Sequence, residues 1–148
     1  MSVVEVENPA ERSRLCAHVL RDLPEWFGIE EATAAYIRDV AELPTFGVGD
    51  DALLSLRLHT RRAAEVYVMG VRRERHGQGI GTALLDAAEE YLRARGVEYL
   101  QVKTLGPSHP DEGYSRTRAF YESRGFVPLE EIHGLWEHNP CLLLVKKL

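Results

Sequence analysis

The chain has 148 residues, of which 45% are hydrophobic and 28% are charged, a composition typical of a globular protein. This length predicts one domain, residues 1–148, that is large enough to bury a core. The net charge of −5 disfavours nucleic acid as a partner, because general nucleic-acid binders are basic. The N-terminus lacks a signal-peptide pattern, and no apolar run approaches the roughly 18 residues of a membrane span. We therefore expect a cytoplasmic protein without a membrane partner.

Cysteine and histidine are placed in ways that predict neither disulfides nor a metal. The two cysteines, Cys16 and Cys141, are far apart and show no paired spacing. Histidines to which we assign no chemistry, because they lack metal-ligand spacing, are His18, His59, His133 and His138. No metal site is expected.

The first half of the chain predicts two helices and three strands. Asn8 and Pro9 are residue types favoured at the N-cap and first position of a helix, and Pro44 would end the second helix. Gly49 and the two aspartates after it form a hairpin turn signal. In chain order we predict a strand at 2–7, helices at 9–22 and 30–43, and strands at 45–49 and 52–59. Helix residues expected to face the core are Leu15, Val19, Leu20, Ala34, Ile37, Val40 and Ala41.

The second half of the chain alternates strands and helices. Residues 64–71 are apolar and β-branched, which is typical of a buried strand. Apolar residues recur at helical spacing from Ile80 to Leu92, and Gly96 and Gly125 suit helix C-terminal ends. In chain order we predict a strand at 64–71, a helix from residue 80, a strand at 99–105, a loop at 106–113, a helix at 114–124, and strands at 127–136 and 141–147. This order predicts a mixed sheet with helices on both faces.

A glycine-rich loop joins the buried strand to the helix that starts at Ile80. Gly77, Gly79 and Gly81 permit positive φ and close approach of a ligand, and a helix N-terminus presents free N–H groups and a partial positive charge. Such a terminus suits a phosphate. The spacing matches neither a P-loop nor the dinucleotide motif Gly-x-Gly-x-x-Gly. The loop therefore indicates another kind of phosphate site, or a plain turn before a core helix.

Two motifs resemble those of the GNAT superfamily of N-acetyltransferases. The run His76-Gly77-Gln78-Gly79-Ile80-Gly81 is similar to its phosphate-binding motif Arg/Gln-x-x-Gly-x-Gly/Ala, with His where Arg or Gln is usual. The run from Ala119 to Phe126 is similar to the fourth-helix signature, in which Tyr-Glu follows an aromatic residue and Gly-Phe closes the helix. The element order matches over nearly the whole chain. The resemblance implies an α/β (α+β) fold, with a mixed, mostly antiparallel seven-stranded sheet flanked by about four helices.

The resemblance also implies an activity and a set of site residues. The chain would transfer an acetyl group from acetyl-CoA to a primary amine of a small molecule or a protein. Tyr121 matches the tyrosine that points at the CoA sulfur and protonates the leaving thiolate, although a buried core aromatic is the alternative. Glu65 stands where some members carry a general base, His109 is the rival base, and water could make both unnecessary. Residues implied to bind the cosubstrate are Met69, Gly70, Val71, His76, Gly77, Gln78, Gly79, Ile80, Gly81 and Thr82.

Some neighbouring positions are open to more than one interpretation. Period two along a strand places Glu65, Tyr67 and Met69 on one face. Tyr114 stands where many family members have an Asn bound to the pantetheine arm, so that contact is in doubt. The arginines that flank the loop, and that either stay solvated or approach the phosphates, are Arg72, Arg73 and Arg75.

The acceptor and the assembly are not specified by the sequence. Segments expected to shape the acceptor pocket are 24–31, 59–64, 105–113 and 131–139. Trp26, Phe27 and Trp136 either line that pocket or lie in the core. A homodimer through sheet edges is compatible with the sequence. The alternative function is a non-catalytic module that senses acyl-CoA.

Overall fold

The computed structural model describes residues 2–148, which form seven strands and four α-helices. The strands are β1 Val4–Glu5, β2 Thr45–Val48, β3 Ala52–Leu58, β4 Ala63–Val71, β5 Tyr99–Leu105, β6 Val127–Ile132 and β7 Cys141–Lys147. The helices are α1 Pro9–Leu20, α2 Glu30–Asp39, α3 Ile80–Ala94 and α4 Glu112–Ser123. None of these helices is long and apolar enough to cross a membrane.

The strands form one sheet in the order β1-β2-β3-β4-β5-β7-β6. Every neighbouring pair is antiparallel except β4 and β5, which are parallel. The fold class expected from the sequence is therefore confirmed. β1 and β6 are the edges of the sheet.

Helices cover both faces of the sheet and divide the core in two. On one face α3 buries Ile80, Leu84, Ala88 and Leu92, the apolar stripe expected from the sequence. On the other face α1 buries Leu15, Val19 and Leu20, as predicted, and also Cys16. The Asn8 side chain accepts a hydrogen bond of 3.0 Å from the Glu11 backbone N–H, which confirms the predicted N-cap of α1.

The second helix is shorter than predicted, and its buried side differs. α2 ends at Asp39, and a 3₁₀ turn at Val40–Glu42 carries the chain towards Pro44. Ala34 is exposed, so its predicted core position is wrong, whereas Thr33 is buried and donates a 3.0 Å hydrogen bond to the Phe27 carbonyl. Ile37 and Val40 pack inward as predicted, and because α2 packs mainly on α1, Thr33 rather than Ala34 joins them.

Two boundaries in the C-terminal half also differ from the predicted ones. α4 begins at Glu112 rather than at 114, because the Asp111 side chain caps it by accepting a 3.0 Å hydrogen bond from the Tyr114 N–H. β6 ends at Ile132 rather than at 136, and the following segment includes Gly134 with φ +97°, which extended backbone does not adopt.

Gly70 brings α1 close to the middle of the sheet. A Cβ atom at this position would lie 3.0 Å from Val19 Cγ1 and 3.3 Å from Leu23 Cδ1. Both neighbours are buried, so they have little room to move. The absence of a side chain at Gly70 is therefore explained by the packing of α1.

We expect Gly70→Val to lower the free energy of unfolding by roughly 1–3 kcal/mol, the usual cost of overpacking a core. Gly70→Ala adds fewer atoms and should cost less. Denaturant unfolding of the three proteins measures the difference. Equal midpoints for all three would show that α1 does not pack tightly on this strand.

Candidate active site

The parallel strands β4 and β5 stay together for only three residue pairs. These pairs are Ala63–Tyr99, Ala64–Leu100 and Glu65–Gln101. Beyond Glu65, β4 continues paired with β3 alone, while β5 continues paired with β7. The two strands therefore separate into a wedge-shaped cleft. Glu65 lies at its apex, and the backbone of β4 borders one side.

A β-bulge interrupts β4 just past the apex. Val66 pairs with Leu56 and Val68 pairs with Ser55, so Tyr67 has no partner on β3. One extra residue reverses the alternation of side chains beyond it. Tyr67 packs with the cluster on the α1 side, whereas Met69 packs against the cluster on the α3 side. The prediction that Met69 shares a face with Glu65 and Tyr67 is therefore wrong.

The glycine-rich loop leaves a row of backbone N–H groups without partners. Gly77 and Gly79 have φ of +77° and +79°, and Gly79 is the N-cap of α3. Within residues 2–148, the N–H groups of residues 77–82 have no protein acceptor, and the first helical bond runs from Ala83 N to Gly79 O at 3.1 Å. The first turn carries no acidic side chain. This arrangement suits an anion such as a phosphate.

The arginines around this loop are held by carboxylates. Arg72 contacts Asp51 at 3.3 Å, and Arg75 also bonds Asp51. Arg73 bonds Glu25, on the segment between α1 and α2. These contacts draw the guanidinium groups towards protein carboxylates, so any anion at the loop would depend chiefly on backbone N–H groups.

His76 takes the place where the family motif usually has Arg or Gln. Its Nε2 lies 2.6 Å from the Val71 carbonyl oxygen, and its ring meets Trp26 edge-on with 6.0 Å between centroids. His76 thus braces the loop against the end of β4. The Val71 carbonyl, which was expected to face the cosubstrate, already has this partner.

Tyr121 combines the two interpretations that the sequence left open. It is buried on α4, and the rings of Phe120 and Phe126 each lie 5.4 Å from its ring. Its hydroxyl has no hydrogen-bond partner in residues 2–148, and it is not among the fully enclosed polar atoms. Burial raises the pKa of Tyr121 above its usual range. The phenol therefore keeps its proton at neutral pH and can donate a hydrogen bond, while the raised pKa also makes it a weaker acid.

Glu65 is held by His59, which directly follows β3, and by Lys103 on β5. Its Oε1 lies 2.7 Å from His59 Nε2, and its Oε2 accepts a 3.3 Å hydrogen bond from Lys103 Nζ. Glu65 is only 8% exposed. Sequence reasoning missed His59 and Lys103. The available signals were a lysine in the middle of the predicted strand 99–105 and a histidine across a short hairpin from Glu65.

The rival base, His109, lies elsewhere. It is exposed on the loop after β5, and within the described part of the chain its side chain makes no hydrogen bond. It is not part of the Glu65 cluster. No group of three or more potential metal ligands is brought together in residues 2–148.

An aromatic wall stands beside the apex on the α2 side. The Tyr67 hydroxyl donates a 2.5 Å hydrogen bond to Asp39 Oδ2, and the Tyr36 ring lies 5.2 Å from the Tyr67 ring. Phe27 extends the wall, 6.0 Å from Tyr36. Burial first, and then the bond to Asp39, raises the pKa of Tyr67 above its usual range. These rings form an apolar surface next to Glu65, whereas Trp136 lies in the loop between β6 and β7.

Tyr114 uses its hydroxyl within the protein. It donates a 2.8 Å hydrogen bond to the Trp26 carbonyl, which ties α4 to the segment between α1 and α2. Burial raises the pKa of Tyr114 to about 12, so the bond persists at neutral pH. In this chain the hydroxyl at this position therefore serves as a structural tie.

The chain belongs to the GNAT acetyltransferase family. Residues 40–128 match a family model described as acetyltransferase (GNAT) domain. A curated relative, mycothiol acetyltransferase from Beutenbergia cavernae, is 39% identical over 84 residues, which are 55% of this chain and 26% of the relative. The matched part therefore spans about a quarter of that relative.

Solved structures of this family share the fold. A GNAT-family acetyltransferase from Desulfovibrio desulfuricans superposes with a TM-score of 0.82 at 16% identity, covering 99% of this chain and 98% of the other. One from Elizabethkingia anophelis with acetyl-CoA bound gives a TM-score of 0.66 at 15% identity, covering 85% and 88%. At these identities the likeness shows the fold alone.

The two ends of α3 offer a matched test of the glycine-rich loop. Gly79 and Gly96 both have φ +79°, and a Cβ at either would meet no atom within 4 Å. Alanine at either position should cost roughly 1–2 kcal/mol of backbone strain. Gly79→Ala should also weaken coenzyme A binding roughly tenfold or more. The strained backbone would shift the N–H groups that are expected to donate charge-assisted hydrogen bonds to the pyrophosphate. Gly96→Ala should leave binding unchanged.

Calorimetric titration with coenzyme A and thermal unfolding of both variants separate affinity from stability. Equal affinities for folded Gly79→Ala and Gly96→Ala would exclude this loop as the phosphate site.

Proposed function

We propose that this chain transfers the acetyl group of acetyl-CoA to a primary amine. The observation that carries the proposal is a single cleft between β4 and β5. The glycine-rich loop, which suits an anion, follows β4 at the open end of the cleft. The Glu65 carboxylate with its partners His59 and Lys103 lies at the apex. Family membership and a solved structure of this fold with acetyl-CoA bound support acetyl-CoA as the cosubstrate.

The proposed position of the cosubstrate follows from the order of these features along the chain. The pyrophosphate would lie on the N–H groups of residues 78–82, at the start of α3. The pantetheine arm would run beside Met69, Gly70 and Val71, where β4 has no partner on the β5 side. The thioester would then reach the bulge at Tyr67, where backbone N–H groups released from the ladder can stabilise an oxyanion.

The proposed chemistry needs one proton removed and one supplied. The amine nitrogen attacks the thioester carbon, a C–N bond forms, and the C–S bond breaks when the oxyanion collapses. Tyr121, which is protonated and whose hydroxyl has no hydrogen-bond partner in residues 2–148, would donate to the departing thiolate. The group formed by Glu65, His59 and Lys103, at the apex of the cleft, would serve to deprotonate the amine.

Tyr121→Phe should lower the rate of acetyl transfer by on the order of 10²–10⁴-fold, the usual contribution of a general acid. The ring and its packing on Phe120 and Phe126 remain, so stability and coenzyme A affinity should hardly change. Thiol release with a competent amine measures the rate. A wild-type rate would leave Tyr121 as a core residue only.

Glu65→Gln should lower turnover while coenzyme A affinity is kept, because the amide cannot carry the negative charge that faces His59 and Lys103. His109→Gln is the comparison, since His109 is exposed and outside the cluster. Steady-state kinetics of both variants test the assignment. Loss of activity in His109→Gln with normal activity in Glu65→Gln would move proton removal to the loop.

The rival function, a module that binds acyl-CoA without catalysis, is tested by turnover itself. Wild-type protein should release free thiol from acetyl-CoA with at least one amine from a panel of amino sugars, polyamines and peptides. The aromatic wall beside Glu65 favours an amine with an apolar portion. Tight binding of acetyl-CoA without release of thiol for the whole panel would favour the sensor.

A further inference from the structure

The carboxylate of Glu65 is poorly placed to accept a proton itself. Both oxygens are engaged, Oε1 with His59 at 2.7 Å and Oε2 with Lys103 at 3.3 Å. A proton added to either oxygen would displace one of these bonds and leave the Lys103 ammonium facing a neutral acid in a largely buried site. The base is therefore sought among the partners of Glu65.

His59 has the features of a base positioned by a carboxylate. Its Nε2 is directed at Glu65, while its Nδ1 has no partner in residues 2–148, and its side chain is 38% exposed. A carboxylate that accepts from Nε2–H selects the neutral tautomer whose lone pair is on Nδ1. The same carboxylate then stabilises the imidazolium, as the aspartate does in a Ser-His-Asp triad.

We propose that His59, oriented by Glu65, removes the proton from the acceptor amine, an inference that rests on the proposed acetyl transfer. The ammonium proton passes to His59 Nδ1, directly or through one water. The neutral amine then uses its lone pair to form the C–N bond, and the C–S bond breaks as the thiolate leaves. The second proton that the nitrogen loses, as it becomes an amide, balances the one that Tyr121 gives to the thiolate. The imidazolium returns its proton to solvent from its exposed edge.

Charged and titratable groups from each neighbouring strand and from α2 face this pair. Lys103 on β5 lies against Glu65, and Arg57 on β3 is directly opposite Glu65 in the register. Tyr36 on α2 and Cys141 on β7 are close enough for the charge of Glu65 to act on them. Lys103 is the cation in contact with this carboxylate, whereas Arg57 is paired with Asp39 at 3.8 Å.

His59→Gln tests the proposal, because glutamine retains a donor for Glu65 but cannot accept a proton at neutral pH. We expect kcat/KM to fall by on the order of 10²–10⁴-fold and the acid limb of its pH profile to disappear. Coenzyme A affinity should stay normal, and added imidazole should partly restore the rate of His59→Ala. The matched control is His18→Gln, on the exposed side of α1, which should keep the wild-type profile.

Glu65→Gln separates the two members of the pair. If His59 is the base, this variant loses rate but keeps an acid limb at a displaced pH. A limb that vanishes in Glu65→Gln and persists in His59→Gln would overturn the proposal and make Glu65 the direct base.

An NMR measurement of the imidazole does not depend on turnover. In the wild-type protein at a pH where the imidazole is neutral, ¹⁵N shifts should place the His59 proton on Nε2, and Glu65→Gln should weaken that preference. A proton found on Nδ1 would overturn the proposal even if no acceptor amine had been found. Normal tautomer data without thiol release would instead count against the acetyl transfer function alone.

Discussion

The cleft exists because β4 and β5 are hydrogen-bonded to each other over only a short length. Their parallel ladder lasts from Ala63 to Glu65 only, and the rest of β5 is held by β7 instead. The sheet remains continuous, yet from Val66 to Val71 β4 has one edge without a partner strand. A pantetheine arm can pair with such an edge as an added strand would. Because the strands part directly after Glu65, a charged side chain lies where the two edges meet.

The bulge at Tyr67 changes which face of the sheet the side chains of β4 point to. Before the bulge, Glu65 shares a face with Arg57, which stacks over the Tyr67 ring at 4.3 Å. After it, Met69 turns to the core beneath α3. An unbulged strand would place Met69 beside the aromatic wall and would alter both surfaces. The side of the strand that carries Glu65 and Tyr67 and the side that packs beneath α3 are thus separated within a few residues.

The sequence predicts features that depend on neighbours along the chain. Hydrophobic periodicity located α3, and the glycines and the Tyr-Glu run pointed to the loop and to Tyr121. The sequence did not predict features that depend on contacts between segments far apart in the chain. The bulge exists only in the register between β3 and β4, and Lys103 reaches Glu65 only because the two strands begin side by side. Ala34 failed for the same reason, since α2 packs on α1 rather than on the sheet.

The paired arginines beside the glycine-rich loop have a consequence for encounter with an anion. Arg72 and Arg75 share Asp51, and Arg73 is held by Glu25, so the loop projects little net positive field into solvent. Attraction over distances near the Debye length of about 10 Å is then weak, particularly for a chain with a net charge of −5. If a polyanion binds at this loop, its capture would depend mainly on short-range contacts with the backbone N–H groups. We therefore expect its affinity to fall less steeply with added salt than at a site built from unpaired arginines.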